Sequence, residues 1–231
     1  MPYFLNKKSH FDYEFLNAKE CLNILTEDEK NELVKHKTDI VFEAGETIIK
    51  RGLLANSILY LNEGLVKLDF INNDKPSTLS LIKPHSFIGI ICCFAFKKYD
   101  FTVTAIEKTK ISFIDMDVFE NFIKSNGEFA FHLIKHMSGV TNILFHRITT
   151  LSQNNIDGAL SFLLLDFAKI YNSNKYTLPV SRIEIANIIG YSKESAINTL
   201  SKFNKEGIIK VTGKKIELLD VEKLEQICKT G

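Results

Sequence analysis

Residues 181–218 read SRIEIANIIGYSKESAINTLSKFNKEGIIKVTGKKIEL. Their punctuation dictates two short helices and a hairpin. Ser181 with Glu184 three residues on is a capping box, so a helix starts at Arg182. Ile185, Ala186, Ile188 and Ile189 give it a buried side, and Gly190 stops it as a C-terminal cap. Only Tyr191 intervenes before Ser192, which can cap the next helix. That second helix buries Ala196, Leu200 and Phe203 and ends at Gly207. Two helices joined by a tight glycine turn make a helix-turn-helix, and the small Ala186 lets them approach closely. The hairpin that follows has Gly213 at its tip with Lys214 and Lys215 beside it, which suits a wing.

The exposed side of the second helix is expected to carry Lys193, Glu194, Ser195, Asn198 and Lys202. These are donors and acceptors suited to base edges and phosphates in a major groove. From Lys175 to Lys215 there are eight basic residues against three acidic ones, a local excess of five positive charges. The whole chain of 231 residues has a formal net charge of only +1, so any nucleic-acid role must sit in this local patch.

With 45% hydrophobic and 25% charged residues, the composition is that of a folded soluble protein large enough for one or two cores. MPYFLNKKSH at the start offers no apolar signal-peptide region, and the longest apolar run, Ile88 to Phe96, is too short to span a membrane. A cytoplasmic protein without a membrane partner is expected. Cys21, Cys92, Cys93 and Cys228 form no metal-ligand spacing and are read as free buried thiols, with a redox role for the adjacent pair as the alternative. No nucleophile–base–orienter set and no glycine-rich phosphate loop is visible, so neither catalytic residues nor a metal site are assigned.

Upstream the chain changes regime twice. From Asp39 to Met116 short apolar runs alternate with turns, as in an antiparallel β-roll or barrel. Asn62-Glu63-Gly64 is expected to close a hairpin, and INNDKPST to form another turn. Thr26 with Glu29 opens a helix ahead of the strands, and Asp117 is expected to cap a short one after them. A long helix from about Glu128 to Gln153 follows. Leu133, Met137, Val140, Leu144, Ile148 and Leu151 step along it by fours and threes, the spacing of a parallel homodimer seam. Phe129, Ile134, Ile143 and Phe145 supply a second apolar face. DGALSFLLLDFAKIY is a further helix, followed by an irregular NSNKYTLPV. The fold class is therefore α+β: an antiparallel β-roll with N-terminal helices over residues 1–126, a dimerisation helix over 127–154 and a winged helix-turn-helix over 155–231.

This layout, with FEAGETIIKRG, LYLNEGLVKL, SFIG and RIEIANIIGYSKESAINTLSKFNKEGII, resembles the Crp/Fnr family of bacterial transcription regulators over nearly the whole chain. The resemblance implies a cyclic-nucleotide-binding-type sensor domain and a dimer that reads double-stranded DNA at a two-fold symmetric site, with RNA polymerase as a further partner. It implies that Ser192 and Lys193 hold phosphate or base, that Glu194 accepts from cytosine N4 and that Asn198 reaches a base. Where the family often has arginine, this chain has Lys193 and Asn198, which alters the expected half-site because lysine lacks the bidentate fork. The candidate DNA contacts are Ser181, Arg182, Tyr191, Ser192, Lys193, Glu194, Asn198, Lys202 and Lys214.

The candidate effector pocket comprises Gly89, Ile90, Cys92, Cys93, Asp100, Phe101, Leu144 and Phe145. Family members that bind cyclic AMP carry a Glu after the glycine and an Arg-Ser or Arg-Thr pair beyond it. Here Ile90 replaces the Glu, and Asp100 and Phe101 stand in the place of the pair. A carboxylate there repels a cyclic phosphate, so cyclic AMP is not expected. An Fnr-type iron–sulfur cluster is not expected either, since Cys21 stands alone near the N-terminus. The carbon-monoxide-sensing branch uses a Cys, a nearby His and an N-terminal Pro as haem ligands. Cys93 and Pro2 fit that placement, Ala95 occupies the His position, and His85 and His132 are the substitutes on offer. Haem sensing stays open as an alternative to an apolar effector, a redox change or no effector. A ligand-binding or interaction module without DNA affinity is the second alternative.

Overall fold

A computed structural model describes residues 17–72 and 75–231 of the chain. The opening MPYFLNKKSH, Pro2, and the tip of the expected INNDKPST turn (Asn73 and Asp74) lie outside the described residues. The chain divides into two compact units, one of Met1–Leu68 with Ser80–Ile143 and the other of Asp69–Leu79 with Leu144–Gly231. The expected boundaries bracket the long helix, whereas the units divide inside it.

Among the described residues α1 (Lys19–Asn23) and α2 (Glu27–Lys35) precede eight strands: β1 (Lys37–Phe42), β2 (Thr47–Ile49), β3 (Ser57–Glu63), β4 (Val66–Asn72), β5 (Lys75–Ile82), β6 (Ser86–Ile88), β7 (Thr102–Ala105) and β8 (Thr109–Asp115); the parts of β4 and β5 within Asp69–Leu79 fall to the second unit and the rest to the first. They form two four-stranded sheets of order β1-β8-β3-β6 and β2-β7-β4-β5. The capping box of Thr26 and Glu29 is present at α2. Ile58, Leu59, Leu61, Val103, Ile111 and Ile114 fill the core, and each fully buried aliphatic side chain contributes about 1.5–3 kcal/mol.

The expected Asn62–Gly64 hairpin is not one. β3 lies between β8 and β6 while β4 lies between β7 and β5, so the chain crosses from one sheet to the other at Gly64. Its φ is +89°, and a Cβ there would sit 2.5 Å from Thr109 Oγ1 and 2.6 Å from the Lys108 carbonyl oxygen. Backbone hand and backbone proximity both demand glycine. Gly64→Ala is accordingly expected to cost about 2–4 kcal/mol in chemical denaturation. A loss below about 1 kcal/mol would mean that the crossover can slide.

After β8 comes α3 (Met116–Ser125), capped by Asp115 rather than the expected Asp117: its carboxylate accepts from the backbone N–H groups of Asp117 (2.8 Å) and Val118 (3.3 Å). The long helix α4 (Gly127–Gln153) follows. Phe129, Leu133 and His136 face inward from its first half. Edge-to-face ring contacts run Tyr60–Phe87–Phe119–Phe129 at 5.4–5.6 Å, and His136 meets Phe87 at 5.9 Å. This cluster seats the start of α4 on the roll.

The second unit holds the end of α4, α5 (Ile156–Tyr171), β9 (Lys175–Thr177), α6 (Arg182–Ile189), α7 (Lys193–Lys205), β10 (Ile209–Thr212), β11 (Lys215–Leu218) and α8 (Val221–Thr230). α5 is apolar nearly all round and buried accordingly. Arg147 of α4 forms a buried ion pair with Asp166 of α5, with its guanidinium 5.7 Å from the Phe162 ring centroid. The segment expected to be irregular contains β9, which pairs antiparallel with β11. Tyr176 anchors it by donating its hydroxyl to the Leu164 carbonyl at 2.8 Å. α8, beyond the expected hairpin, packs on α5 through Leu224.

Candidate nucleic-acid interface

The helix-turn-helix forms as its caps dictate. Ser181 accepts from the Glu184 N–H while the Glu184 carboxylate accepts from the Ser181 N–H at 2.7 Å. Gly190 adopts φ +75°, where a side chain would be strained, and closes α6. Ser192 caps α7, and Ala196, Leu200 and Phe203 are buried beneath it. The first helix buries Ile185, Ala186 and Ile189, with Ile188 half-buried.

Helical phase sets which side chains face outward. Ala196, Thr199, Leu200 and Phe203 point in, so the centre of the opposite face is Glu194, Asn198, Ser201 and Lys205, all exposed. Ser201 and Lys205 were missed by sequence reading, although stepping four, three and four residues from Glu194 finds them. Lys193 is exposed at the start of the helix. Lys202 lies on a flank, where its ammonium bonds the Asp157 carboxylate at 2.5 Å. Tyr191 donates its hydroxyl to the Asn154 carbonyl at 3.0 Å. Ser192 accepts from the Ser195 N–H at 3.1 Å and donates to Ser195 Oγ at 2.9 Å. The polar atoms of these three expected DNA contacts are therefore engaged within the chain.

The wing is the β10–β11 hairpin, with Gly213 at φ +62° and Lys214 exposed. Arg182 Nη2 donates to the Gly213 carbonyl at 2.9 Å, which ties the wing tip to the start of α6. Its Nη1 is buried without a partner among the described residues, and burial lowers the guanidinium below its ordinary range. Arg182 borders a groove of ≈ 360 Å³ lined also by Ile197, Leu200, Ser201, Asn204 and Val211. Helix face, groove and wing together offer carboxylate, amide, hydroxyl and cationic groups on one domain. That mixture can read base edges and hold phosphates.

In the first unit Ser57 collects the glycine cassette. Tyr99 donates its hydroxyl to the Ser57 carbonyl at 2.6 Å, and the Cys93 thiol donates to the same oxygen at 3.3 Å. Gly89 has φ +94°, and a Cβ there would come within 2.9 Å of the Tyr99 ring. Cys92 to Phe96 form a π-helical turn closed by Lys97 at φ +54°. The Cys92 thiol donates to the Asp100 carboxylate at 3.1 Å. Burial pushes Cys92 up to about 12 and Cys93 up to about 11. Tyr99 escaped sequence reading; the signal was an aromatic residue close in sequence to a glycine that must make room for it.

These residues do not fit a cyclic nucleotide. Ile90 is buried and apolar where a ribose acceptor is needed, and Asp100 places a carboxylate where the cyclic phosphate would lie. Of the haem ligands considered, Cys93 donates its thiol to the Ser57 carbonyl, and Pro2 lies outside the described residues. His85 Nδ1 is 3.0 Å from the Tyr60 hydroxyl, and His132 sits half-buried on α4. Among the described residues no group of three or more His, Cys, Asp or Glu is placed to hold a metal ion. Phe101 is buried in the first unit, while Leu144 (half-buried) and Phe145 (exposed) belong to the second.

The exposed apolar residues of α4 are Phe131, Ile134, Phe145 and Ile148, and with exposed Ser138, Thr141 and Ser152 they keep a three–four rhythm. Of the expected seam only Ile148 lies in this row. Met137, Val140, Leu144 and Leu151 are half-buried. Leu133, 6% exposed, is taken up by the core of its own unit.

Comparison with known proteins agrees with this architecture. Residues 39–126 match the family model of the cyclic nucleotide-binding domain, and residues 160–227 that of the Crp-like helix-turn-helix domain. The transcriptional activator protein FnrA of Stutzerimonas stutzeri is 21% identical over 205 residues, covering 86% of this chain and 83% of that protein. The CRP-like cAMP-activated global transcriptional regulator of Mycobacterium tuberculosis is 21% identical over 198 residues, 83% and 88% of the two chains. The fold matches FixK2 from Bradyrhizobium japonicum with a TM-score of 0.72 at 17% identity, over 83% of this chain and 96% of that one. These relatives and the fold are those of regulators rather than enzymes, and no described helix is long and apolar enough to cross a membrane. The chain is a member of the Crp/Fnr family of DNA-binding bacterial transcription regulators.

Proposed function

We propose that this regulator acts in the cytoplasm as a homodimer, reads a two-fold symmetric operator with paired α7 helices, and signals to RNA polymerase. The observation that carries this reading is the exposed row Glu194, Asn198, Ser201 and Lys205 on a capped helix beside a basic wing. Glu194 accepts from cytosine N4, Asn198 pairs with a base edge, and the exposed Lys193, Lys205 and Lys214 hold phosphates. The first unit answers a signal other than a cyclic nucleotide, an apolar effector or a change of redox state. The signal shifts the population of dimers whose recognition helices are correctly aimed.

Two substitutions test the interface. Glu194→Ala is expected to relax discrimination at one symmetric base position by about 1–3 kcal/mol. Lys214→Ala is expected to weaken all sequences alike and to lower the slope of log affinity against log salt by about 1 per subunit. Binding titrations over single-base operator variants and a salt series decide both. If neither variant alters DNA binding, the recognition face is misassigned.

A further inference from the structure

The short segment between α4 and α5 is bound to both ends of α7. At one end Tyr191, immediately before the Ser192 cap, donates its hydroxyl to the Asn154 carbonyl at 3.0 Å. At the other, Lys202 in the last turn bonds Asp157 in the first turn of α5 at 2.5 Å. The bond to Asp157 holds the Lys202 ammonium above its ordinary range. The same segment is fixed from a third side by α8. Asn154 Nδ2 donates to the Cys228 carbonyl at 3.0 Å, and the Asn155 N–H donates to the Gly231 carbonyl at 2.8 Å. Packing is close: a Cβ on Gly158 would lie 2.9 Å from Asn154 Nδ2.

We propose that Tyr191 and Lys202 are positioning residues which lock the recognition helix to the end of the long helix. Their polar atoms face the α4–α5 junction: Tyr191 would have to surrender its one O–H bond to donate to DNA, and Lys202 is held by Asp157 on the flank of α7, away from the centre of the recognition face. In a dimer joined through α4, the angle between the last turns of α4 and α7 sets the separation of the two recognition helices. The latch therefore selects half-site spacing, whereas Glu194 and Asn198 select bases. This inference rests on the dimeric reading proposed above.

The test uses Tyr191→Phe, which keeps the ring and removes the donor, and Lys202→Met, which removes the strap and the charge. Full-length protein is titrated against operators whose half-sites are moved together or apart by one base pair, over a series of salt concentrations. Each variant is expected to lose about three- to tenfold of the wild-type preference for the best spacing, the scale of one hydrogen bond. Base preference within a half-site and the salt slope should stay at wild-type values. A shallower salt slope for Lys202→Met, or an equal loss on every spacing for Tyr191→Phe, would make them direct DNA contacts and overturn the proposal. Amide hydrogen exchange on the free protein gives a second reading that needs no operator. Faster exchange at Asp157–Ala159 and Ser195–Ile197 in Tyr191→Phe supports the latch, and unchanged exchange refutes it. A wild-type protein indifferent to spacing would refute the dimeric reading, and the exchange result would still decide the latch.

Discussion

Asp166→Ala is expected to remove about 3–5 kcal/mol from the stability of the second unit. The Arg147 side chain is 8% exposed and that of Asp166 2%, so the pair is almost wholly withdrawn from water. Deleting one partner strands a guanidinium among apolar side chains of α5, where neither solvent nor another carboxylate can reach it easily. The cost belongs to the stranded charge more than to the lost bond. Arg147→Met combined with Asp166→Leu should therefore recover most of the loss, because an apolar pair of similar volume carries no desolvation penalty. Denaturant unfolding followed by circular dichroism compares the three proteins. A single variant within about 1 kcal/mol of wild type would show that water reaches the pair.

Phe145→Asp should do the opposite: leave the monomer folded and abolish the dimer. Phe145 is 66% exposed, so the substitution disturbs little within one chain. In a dimer the carboxylate would sit in the helix seam, adjacent to its own symmetry mate. Two half-sites would then be bound independently, and affinity for a two-fold operator should fall by about 100-fold or more. Light scattering gives the mass and an operator titration gives the affinity. Leu133→Asp provides the contrast, since Leu133 belongs to the core of the first unit and its replacement should damage folding. If Phe145→Asp stays dimeric and Leu133→Asp becomes a folded monomer, the seam follows the other stripe.

Those two stripes show where sequence reading loses resolution. Both Leu133–Met137–Val140 and Phe131–Ile134 obey three–four spacing, and periodicity cannot say which stripe its own roll covers. The roll's ring cluster takes Phe129, Leu133 and His136, and this leaves the other stripe bare. Capping chemistry was far more legible. Thr26 with Glu29, Ser181 with Glu184, Gly190 and Ser192 all act locally, so their roles follow from adjacent residues alone. Gly64 was recognised as a turn residue, but its partner strand depends on Lys108 and Thr109, distant in sequence. α8 was missed but was legible too: Asp220 is its cap, and Val221, Leu224, Ile227 and Cys228 recur at helical spacing on one face. The interface shows the same division. Glu194 and Asn198 follow from helical phase, whereas the engagement of Tyr191 and Lys202 depends on the junction at Asn154–Asp157.

Selection of bound sequences from random double-stranded DNA by the purified full-length protein tests the central claim most directly. The account predicts enrichment of an inverted repeat, its half-sites one helical turn (~34–36 Å) apart, with one position in each half-site degrading in Glu194→Ala. Recovery of no common sequence, or of a single unrepeated motif, would contradict it.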